Sequence, residues 1–240
     1  MSGHSHFATI KHKKEASDAK KSKSFSKISR LITIAVKEKG AAVETNAQLK
    51  IAIELAKKAN MPSDNIERAI KKGSGDLEGE KLEEFAIEGY GPGGTALIVE
   101  GITDNKNRTL GDVKQILAQY GGKMVAEGSV KWMFERKGII TILSSSVTKS
   151  KEEAEMDIID AGADDIRWKD EIVEVYTKIQ DLENVKASLE TKGIEIDSAQ
   201  LGWVAKEELS LGEKEIESNQ KIFDALDDDD SVQAVYSNLK

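Results

Sequence analysis

The spacing of apolar residues predicts a helical unit at the start of the chain. From about residue 16 to residue 39, apolar side chains recur every three or four positions, which is typical of one helix face. The same spacing predicts a second helix over about 46–59, and a third that Ser63 opens and caps. Glycines at 73 and 75 end this unit. Residues 1–15 lack the pattern, so we expect a flexible polar arm before a three-helix bundle.

After residue 75 the apolar period changes to two residues, which favours β-strands. Strands are predicted at 85–88 and 95–99, on either side of a glycine-rich turn. A helix around residues 110–117 and a strand near 130–134 follow. From residue 138 the order becomes β-α-β-β-α-β, which is the ferredoxin-like pattern. Its strands are expected at 139–143, 164–168, 171–177 and 194–204, and its helices at 150–161 and 179–192.

A last helix (about 213–226) and a last strand (about 231–237) exceed what the ferredoxin-like domain needs, whereas the domain before it is incomplete. We therefore expect the C-terminus to return and complete the earlier domain. The predicted fold class is α+β, with an N-terminal three-helix bundle followed by two α/β-type domains, the third inserted into the second. The expected domains are a basic helical domain at 1–74, a discontinuous domain at 75–137 plus 206–240, and the inserted domain at 138–205.

The charge of the chain is divided unevenly along its length. Residues 1–72 carry sixteen Lys/Arg and seven Asp/Glu, a net charge of +9, whereas residues 73–240 carry nineteen and thirty-six, a net charge of −17. Such asymmetry indicates that the basic part meets a polyanion. The alternative is that the basic segment docks on the acidic domains of the same chain.

Candidate phosphate-binding residues are concentrated in the basic arm and the first predicted helix. A dense basic cluster gains affinity for nucleic acid because each neutralised phosphate releases counterions. On the helix, positions 20, 23, 27 and 30 share one face. The residues that we predict to bind nucleic acid are Lys11, His12, Lys13, Lys14, Lys20, Lys21, Lys23, Lys27 and Arg30.

Two loops are secondary candidates for contact with nucleic acid or a partner. The turn at 89–94 matches the spacing of a dinucleotide-binding fingerprint, but a strand follows it where the fingerprint requires a helix. We interpret it as a hairpin turn that could present Tyr90. The loop before the next helix offers Asn105, Lys106, Asn107 and Arg108, polar side chains suited to a phosphate at a helix N-terminus. A capping box of Thr109 and Asp112 accounts for its other residues.

Catalytic chemistry finds little support in the sequence. The chain has no cysteine, and its three histidines all lie within the first twelve residues. We predict no catalytic residue, no metal and no cofactor, with a hydrolase in an interdomain cleft as the weakest alternative.

The acidic run 227–230 opposes the dipole of the last helix, so that helix is expected to stop before it. This run is either a solvated turn or a shield for the basic arm. The absence of cysteine, of a signal segment and of a long apolar run predicts a cytoplasmic protein without membrane contact.

Ordered motifs along the whole chain carry a family resemblance. They are Gly3-His4-Ser5, Ile10-Lys11-His12-Lys13-Lys14, Ala59-Asn60-Met61-Pro62, Glu88-Gly89-Tyr90-Gly91-Pro92-Gly93-Gly94-Thr95, Thr103-Asp104-Asn105-Lys106-Asn107-Arg108-Thr109, Gly128-Ser129-Val130, Ala161-Gly162-Ala163 and Val232-Gln233-Ala234-Val235-Tyr236. With these motifs the chain resembles the YebC family. The resemblance implies three domains, the second interrupted by the third. It also implies a role as a DNA-binding transcriptional regulator, a mitochondrial translational activator or a ribosome-associated factor.

The sequence thus predicts a non-enzymatic nucleic-acid-binding regulator of gene expression, of the DNA-binding transcriptional type. The alternative is a translation factor that binds ribosomal RNA and protein on the ribosome. Because the positive charge follows an arm and one helix face, backbone gripping is favoured over base reading. We therefore expect weak sequence discrimination on duplex DNA, and salt-sensitive association with ribosomes.

Overall fold

The computed structural model describes residues 18–79 and 81–240. Within the first range, helices α1 (Asp18–Lys39), α2 (Ala47–Lys58) and α3 (Ser63–Ser74) form the expected bundle. The predicted arm at 1–15 lies outside the described residues. The bundle encloses a core of mostly aliphatic side chains, which are Ile28, Ile32, Ala35, Val36, Leu49, Ala52, Ala56, Met61 and Ala69.

Asn46 joins the first two helices. Its side-chain oxygen accepts a hydrogen bond from the Leu49 amide at 3.0 Å, which caps the start of α2. Its side-chain amide donates to the carbonyls of Ala35 and Gly40, each at 2.8 Å, so it also binds the end of α1. This fully buried side chain therefore fixes the turn between the two helices.

A four-stranded antiparallel sheet follows the bundle. Its strands are β1 (Glu83–Tyr90), β2 (Ala96–Thr103), β3 (Lys123–Val125) and β8 (Val232–Ser237), in the order β3-β1-β2-β8 with antiparallel neighbours. Helices α4 (Lys106–Gln119) and α7 (Glu213–Asp227) pack on it, and their shared core includes Val113, Leu117, Ile222, Phe223 and Leu226. We refer to these elements as the first α/β domain. Since β8 comes from the C-terminus, the chain does return to complete this sheet.

The second sheet belongs to the inserted domain. It contains β4 (Phe134–Leu143), β5 (Asp165–Trp168), β6 (Ile172–Thr177) and β7 (Ser198–Ala205), in the order β5-β6-β4-β7. Helices α5 (Lys151–Asp160) and α6 (Leu182–Thr191) cover one face of it. This is the predicted ferredoxin-like arrangement, and the predicted α+β fold class with its insertion is confirmed. The residue bounds of the domains stay a prediction; β4 passes residue 138 without a break.

Local predictions fail at several element boundaries. The predicted strand near 130–134 is wrong, because residues 131–133 form a short 3₁₀ turn and the strand begins at Phe134. The prediction also missed β3. The expected cap at Ser63 is wrong as well, since Pro62 occupies the N-cap position and Ser63 is the first helical residue. Pro62 has a φ of −57° but an extended ψ of 140°, so it is the last non-helical residue.

The helical bundle contacts both α/β domains. From α1, the Lys37 ammonium donates to the Leu82 carbonyl at 2.8 Å, just before the first sheet. From α2, the Lys58 ammonium donates to the Ile196 carbonyl at 2.9 Å, and Glu54 pairs with Lys186 of α6 at 3.1 Å. The bundle is therefore joined to both α/β domains by specific polar contacts, and Ile34 of α1 also packs against Leu82 and Ile102.

Candidate nucleic-acid interface

Three basic side chains of α1 lie on one helix face, as their spacing predicts. Lys23, Lys27 and Arg30 all face the first α/β domain and contact it. Lys20 and Lys21 belong to the first turn of α1. The other predicted contacts (Lys11, His12, Lys13 and Lys14) lie outside the described residues. For the three residues on this face, the structure shows the intramolecular docking that was the alternative to a polyanion.

Lys27 closes the C-terminal end of α7. Its ammonium donates to the Asp227 carbonyl at 2.6 Å and to the Asp227 carboxylate at 3.0 Å, and the residue is only 7% exposed. The neighbouring pair of Lys23 and Asp228, at 2.9 Å, is largely open to water. The prediction that the helix ends before the acidic run is therefore wrong by one residue. The helix extends to Asp227 because Lys27 and Lys23 neutralise the Asp227 and Asp228 carboxylates and the negative end of the helix dipole.

Arg30 ties α1 to two strands of the first sheet. Its guanidinium donates to the carbonyl of Ile102, near the end of β2, at 2.7 Å, and to the hydroxyl of Ser231, just before β8, at 3.1 Å. The same two residues are joined by a backbone hydrogen bond, in which the Ile102 amide donates to the Ser231 carbonyl at 2.8 Å. Arg30 thus lies where the C-terminal strand joins the sheet.

The loop that follows β2 forms the N-terminus of α4. Asn105 is the residue at the N-cap, and its side chain accepts from the Arg108 amide at 3.1 Å. The predicted capping box of Thr109 and Asp112 is wrong: Thr109 is buried in the helix and shares a hydrogen bond with Thr103 at 2.8 Å. The helix begins four residues earlier than the box requires, because Asn105 and not Thr109 occupies the N-cap position.

The two predicted contact regions converge on one carboxylate. Arg108 pairs with Asp104 at 2.5 Å, and Arg30 is close enough for its charge to act on the same group. Burial alone would raise the pKa of Asp104, but its own backbone amide, Arg108 and Arg30 hold that pKa below its usual range. Lys106 and Asn107 are exposed beside this group. Arg30 of α1 and Arg108 of α4 therefore act on the same carboxylate.

The glycine-rich turn joins β1 to β2 as a hairpin, as predicted. The Gly91 amide donates to the Thr95 carbonyl at 2.8 Å, and Gly93 and Gly94 adopt positive φ angles of 69° and 82°. Asn219 of α7 packs against the turn, where its amide donates to the Pro92 carbonyl at 3.0 Å. The turn is thus held against α7 by a fully buried side chain.

Tyr90 lies beside this turn, in an open cleft of about 510 Å³ that is otherwise lined by Gly91, Gly94, Gly121, Gly122 and Lys123. The Lys123 ammonium is 5.9 Å from the centre of the Tyr90 ring, and the Tyr90 hydroxyl reaches the Ser129 carbonyl at 3.4 Å. The cleft therefore offers one aromatic ring and one ammonium group. It lies at the β3 edge of the sheet, whereas Arg30 of α1 contacts the sheet beside β8, at the other edge.

Sequence reasoning missed the role of Glu88, a buried carboxylate in β1. Its two oxygens accept hydrogen bonds from the amides of Gly128 (2.6 Å), Val130 (2.6 Å) and Lys131 (3.0 Å). Burial would raise the pKa of Glu88, but these amides and the Lys131 charge together hold it below its usual range. The amides that Glu88 binds are unavailable for strand pairing, which explains the missing strand near 130–134. The available signal was an acidic residue directly after the apolar stretch 85–87 of the same strand.

No group of three acidic or histidine side chains among the described residues is arranged to hold a metal ion. Likewise, none of the helices in the described ranges combines the length and apolar character needed to cross a bilayer.

Comparison with known proteins places this geometry in a family. Residues 5–76 match the sequence model of the TACO1/YebC N-terminal domain, and residues 82–239 match that of the TACO1/YebC second and third domain. A probable transcriptional regulatory protein of Dehalococcoides mccartyi is 46% identical over 99% of this chain and 94% of the relative. Another, from Thermoanaerobacter pseudethanolicus, is 46% identical over 100% and 97%.

A solved structure shows the same fold. The crystal structure of a conserved hypothetical protein from Aquifex aeolicus superposes with a TM-score of 0.90 at 43% sequence identity. The match covers 98% of this chain and 96% of the other. The family assignment rests on the sequence matches, and the solved structure shows that the fold is shared.

Proposed function

Because the chain belongs to the TACO1/YebC family, we propose that it is a cytoplasmic, non-enzymatic regulator of gene expression that binds DNA through its N-terminal domain. Its relatives are named probable transcriptional regulatory proteins, which supports the regulatory role. The observation that carries nucleic-acid binding is the charge division, with a net charge of +9 on residues 1–72 and −17 on the remainder. A polyanion is attracted to the first part and repelled by the second, so it is oriented on the molecule.

The basic residues divide into two roles in this proposal. Lys11, His12, Lys13, Lys14, Lys20, Lys21 and Lys23 bind phosphates. Lys23 belongs to this group because its pair with Asp228 is exposed, and exposed pairs contribute only about 0–1 kcal/mol. A phosphate can therefore replace Asp228 at little cost. Lys27 and Arg30 keep their contacts with Asp227, Ile102 and Ser231 and hold α1 in place.

The first turn of α4 provides the second contact. Lys106 and Asn107 are exposed, and Arg108 is half-exposed. Asn105 already caps the helix and Arg108 pairs with Asp104, so Lys106 and Asn107 are the side chains open to a phosphate at this helix N-terminus, with Arg108 beside them. Two separated contacts to the backbone position a duplex without reading its bases.

The salt dependence of binding tests the proposal. If the arm neutralises six or more phosphates, affinity for duplex DNA falls by roughly a thousandfold between about 50 and 200 mM salt. Replacing Lys11, Lys13, Lys14, Lys20 and Lys21 by alanine should flatten this dependence. The matched control removes five exposed lysines from the acidic part, at Lys114, Lys151, Lys178, Lys214 and Lys221. It changes the net charge equally and should keep the wild-type slope.

Fluorescence anisotropy with a labelled duplex provides the measurement. Equal slopes for the arm variant and the control would refute the assignment of the arm. A promoter-like duplex and a scrambled one, compared at one salt concentration, measure sequence discrimination, which we expect to stay below the roughly thousandfold of specific binders. Purified ribosomes at the same salt test the ribosome-associated alternative, which stays a prediction.

A further inference from the structure

The loop between β3 and β4 presents an unusual side chain. Trp132 is 67% exposed, more than any other large hydrophobic residue in the described part of the chain. It precedes the strand that joins the two α/β domains. Single exposed aliphatic residues are common, but a tryptophan this open loses much of the free energy that its burial would provide.

The backbone around Trp132 is fixed in position. The Glu88 carboxylate holds the amides of Gly128, Val130 and Lys131, as described above. On the other side, the Lys206 ammonium donates to the Trp132 carbonyl at 2.8 Å. The exposed ring is therefore carried by an ordered turn rather than by a loosely held one.

The indole itself is also oriented. Its Nε1–H donates to the Ser129 carbonyl at 2.9 Å, within the same turn. The only polar atom of the side chain is thus satisfied internally. What remains open to solvent is the apolar π-surface, which makes its strongest contacts by stacking on another flat ring.

Two lysines adjoin Trp132, and the same turn carries one exposed acid, Glu127. Lys131 and Lys206 flank Trp132, and neither forms an ion pair with a carboxylate among the residues that the structure describes. Lys131 lies over the Trp203 ring at 5.1 Å. The turn also contacts Tyr90, whose hydroxyl donates to the Ser129 carbonyl, and the Lys123 ammonium lies over the Tyr90 ring. We call Tyr90, Lys123, Lys131, Trp132 and Lys206 the Trp132 surface.

From this arrangement we propose that the Trp132 surface binds unpaired nucleotides, with a base stacked on Trp132 and the adjoining phosphates contacted by Lys131 and Lys206. Aromatic rings between cations form the usual binding surface for single-stranded nucleic acid, because every base has a π-face and every linkage a negative charge. The inference rests on the proposed function, and it adds a second surface with a different preference. The N-terminal arm grips any phosphate backbone, whereas Trp132 requires a base that is free to stack.

The test compares full-length wild-type protein with Trp132→Ala and Trp132→Phe. Met156→Ala is the matched control, since Met156 is 66% exposed on α5, away from this surface. The probes are labelled oligo-dT and oligo-U of about 12 nucleotides, and a duplex of the same length. Trp132→Ala should weaken single-strand binding roughly five- to 150-fold, the range that loss of one stacked base produces. Duplex binding should stay unchanged, and Trp132→Phe should retain most of the affinity.

A second readout is the tryptophan fluorescence of the protein. Stacking should quench it when oligo-dT is added, and Trp132→Phe should lose that quenching while the Met156→Ala control keeps it. Single-strand affinity and quenching that are unchanged in Trp132→Ala would overturn the inference, as would equal losses on single strand and duplex. In both cases wild-type duplex binding leaves the proposed function standing. Failure of the wild-type protein to bind any of the three probes would instead overturn the proposed function itself. Trp132-dependent binding to anionic vesicles, with none to oligonucleotides, would assign the surface to membranes and also overturn the inference.

Discussion

The Glu88 carboxylate offers the sharpest test of how this fold is held together. Replacing it by alanine removes the acceptor for the amides of Gly128, Val130 and Lys131. Val130 is fully buried, so its unpaired amide costs about 1–3 kcal/mol. Gly128 and Lys131 are exposed, so water replaces the carboxylate there and each loss is about 0.5–1.5 kcal/mol. We expect Glu88→Ala to lower the free energy of unfolding by about 2–6 kcal/mol.

Glu88→Gln removes the negative charge of the side chain but keeps its size and shape, so it isolates the contribution of the charge. The glutamine keeps one oxygen acceptor but turns an amide donor toward a backbone N–H, so we expect a loss of about 1–3 kcal/mol at neutral pH. Because folding lowers the pKa of Glu88, its charge stabilises the protein fully above the unfolded-state pKa of about 4.3. That contribution is lost as the pH falls through the folded-state pKa. The difference between wild type and Glu88→Gln should therefore be constant from about pH 8 to 5.5 and shrink below about pH 4.

Urea denaturation followed by tryptophan fluorescence measures these free energies. Glu127→Gln is the control, because Glu127 is an exposed acid of the same turn and should change stability by less than about 0.5 kcal/mol. A Glu88→Gln variant as stable as this control at pH 7 would refute the reasoning. So would a difference that grows as the pH is lowered.

Two further predictions concern contacts between elements. Lys27→Ala should destabilise the protein by about 1–3 kcal/mol, less than for a fully buried pair because Asp227 keeps contact with water, whereas Lys23→Ala should cost under about 1 kcal/mol. Hydrogen exchange at the end of α7 should rise only in the first variant, and equal effects would contradict the assigned roles. Gly91→Ala places a methyl group against the Asn219 side-chain oxygen, so thermal unfolding should show a loss of about 1–3 kcal/mol that Asn219→Ala partly reverses. If the double variant Gly91→Ala/Asn219→Ala were no more stable than Gly91→Ala alone, a steric clash with Asn219 would not be the cause of the loss.

The elements that sequence reasoning found are those with strong local periodicity. The apolar spacing of α1 locates it correctly because one face packs on the bundle core, with Ile28, Ile32 and Val36 buried. The β-α-β-β-α-β order of the inserted domain is equally visible, and counting the surplus helix and strand was enough to return β8 to the first sheet.

What sequence reasoning missed depends on partners far along the chain. Lys27 and Asp227 are separated by 200 residues, so no local pattern indicates their contact. The Glu88 carboxylate acts on amides some 40 residues away and converts a strand-like segment into a turn. The short strand β3 has only three residues, too few for a period of two to stand out. The phosphate-binding role of the arm residues stays a prediction that the salt-slope experiment addresses.

The pairing of β4 with β7 has a consequence for how the chain is made. Both connections of the inserted domain run side by side, with Phe134 opposite Ala205, so this domain enters and leaves through one hydrogen-bonded ribbon. The inserted domain can fold completely, with β4 paired to β7, as soon as residue 205 has left the ribosome. The first sheet, by contrast, lacks its edge strand until Val232–Ser237 is synthesised, after the whole inserted domain. Until then β2 has an open edge, and α1 lacks Asp227 and Ser231 to hold it. The nascent protein therefore carries a folded domain inside an unfinished one, and the basic helix is docked last of all.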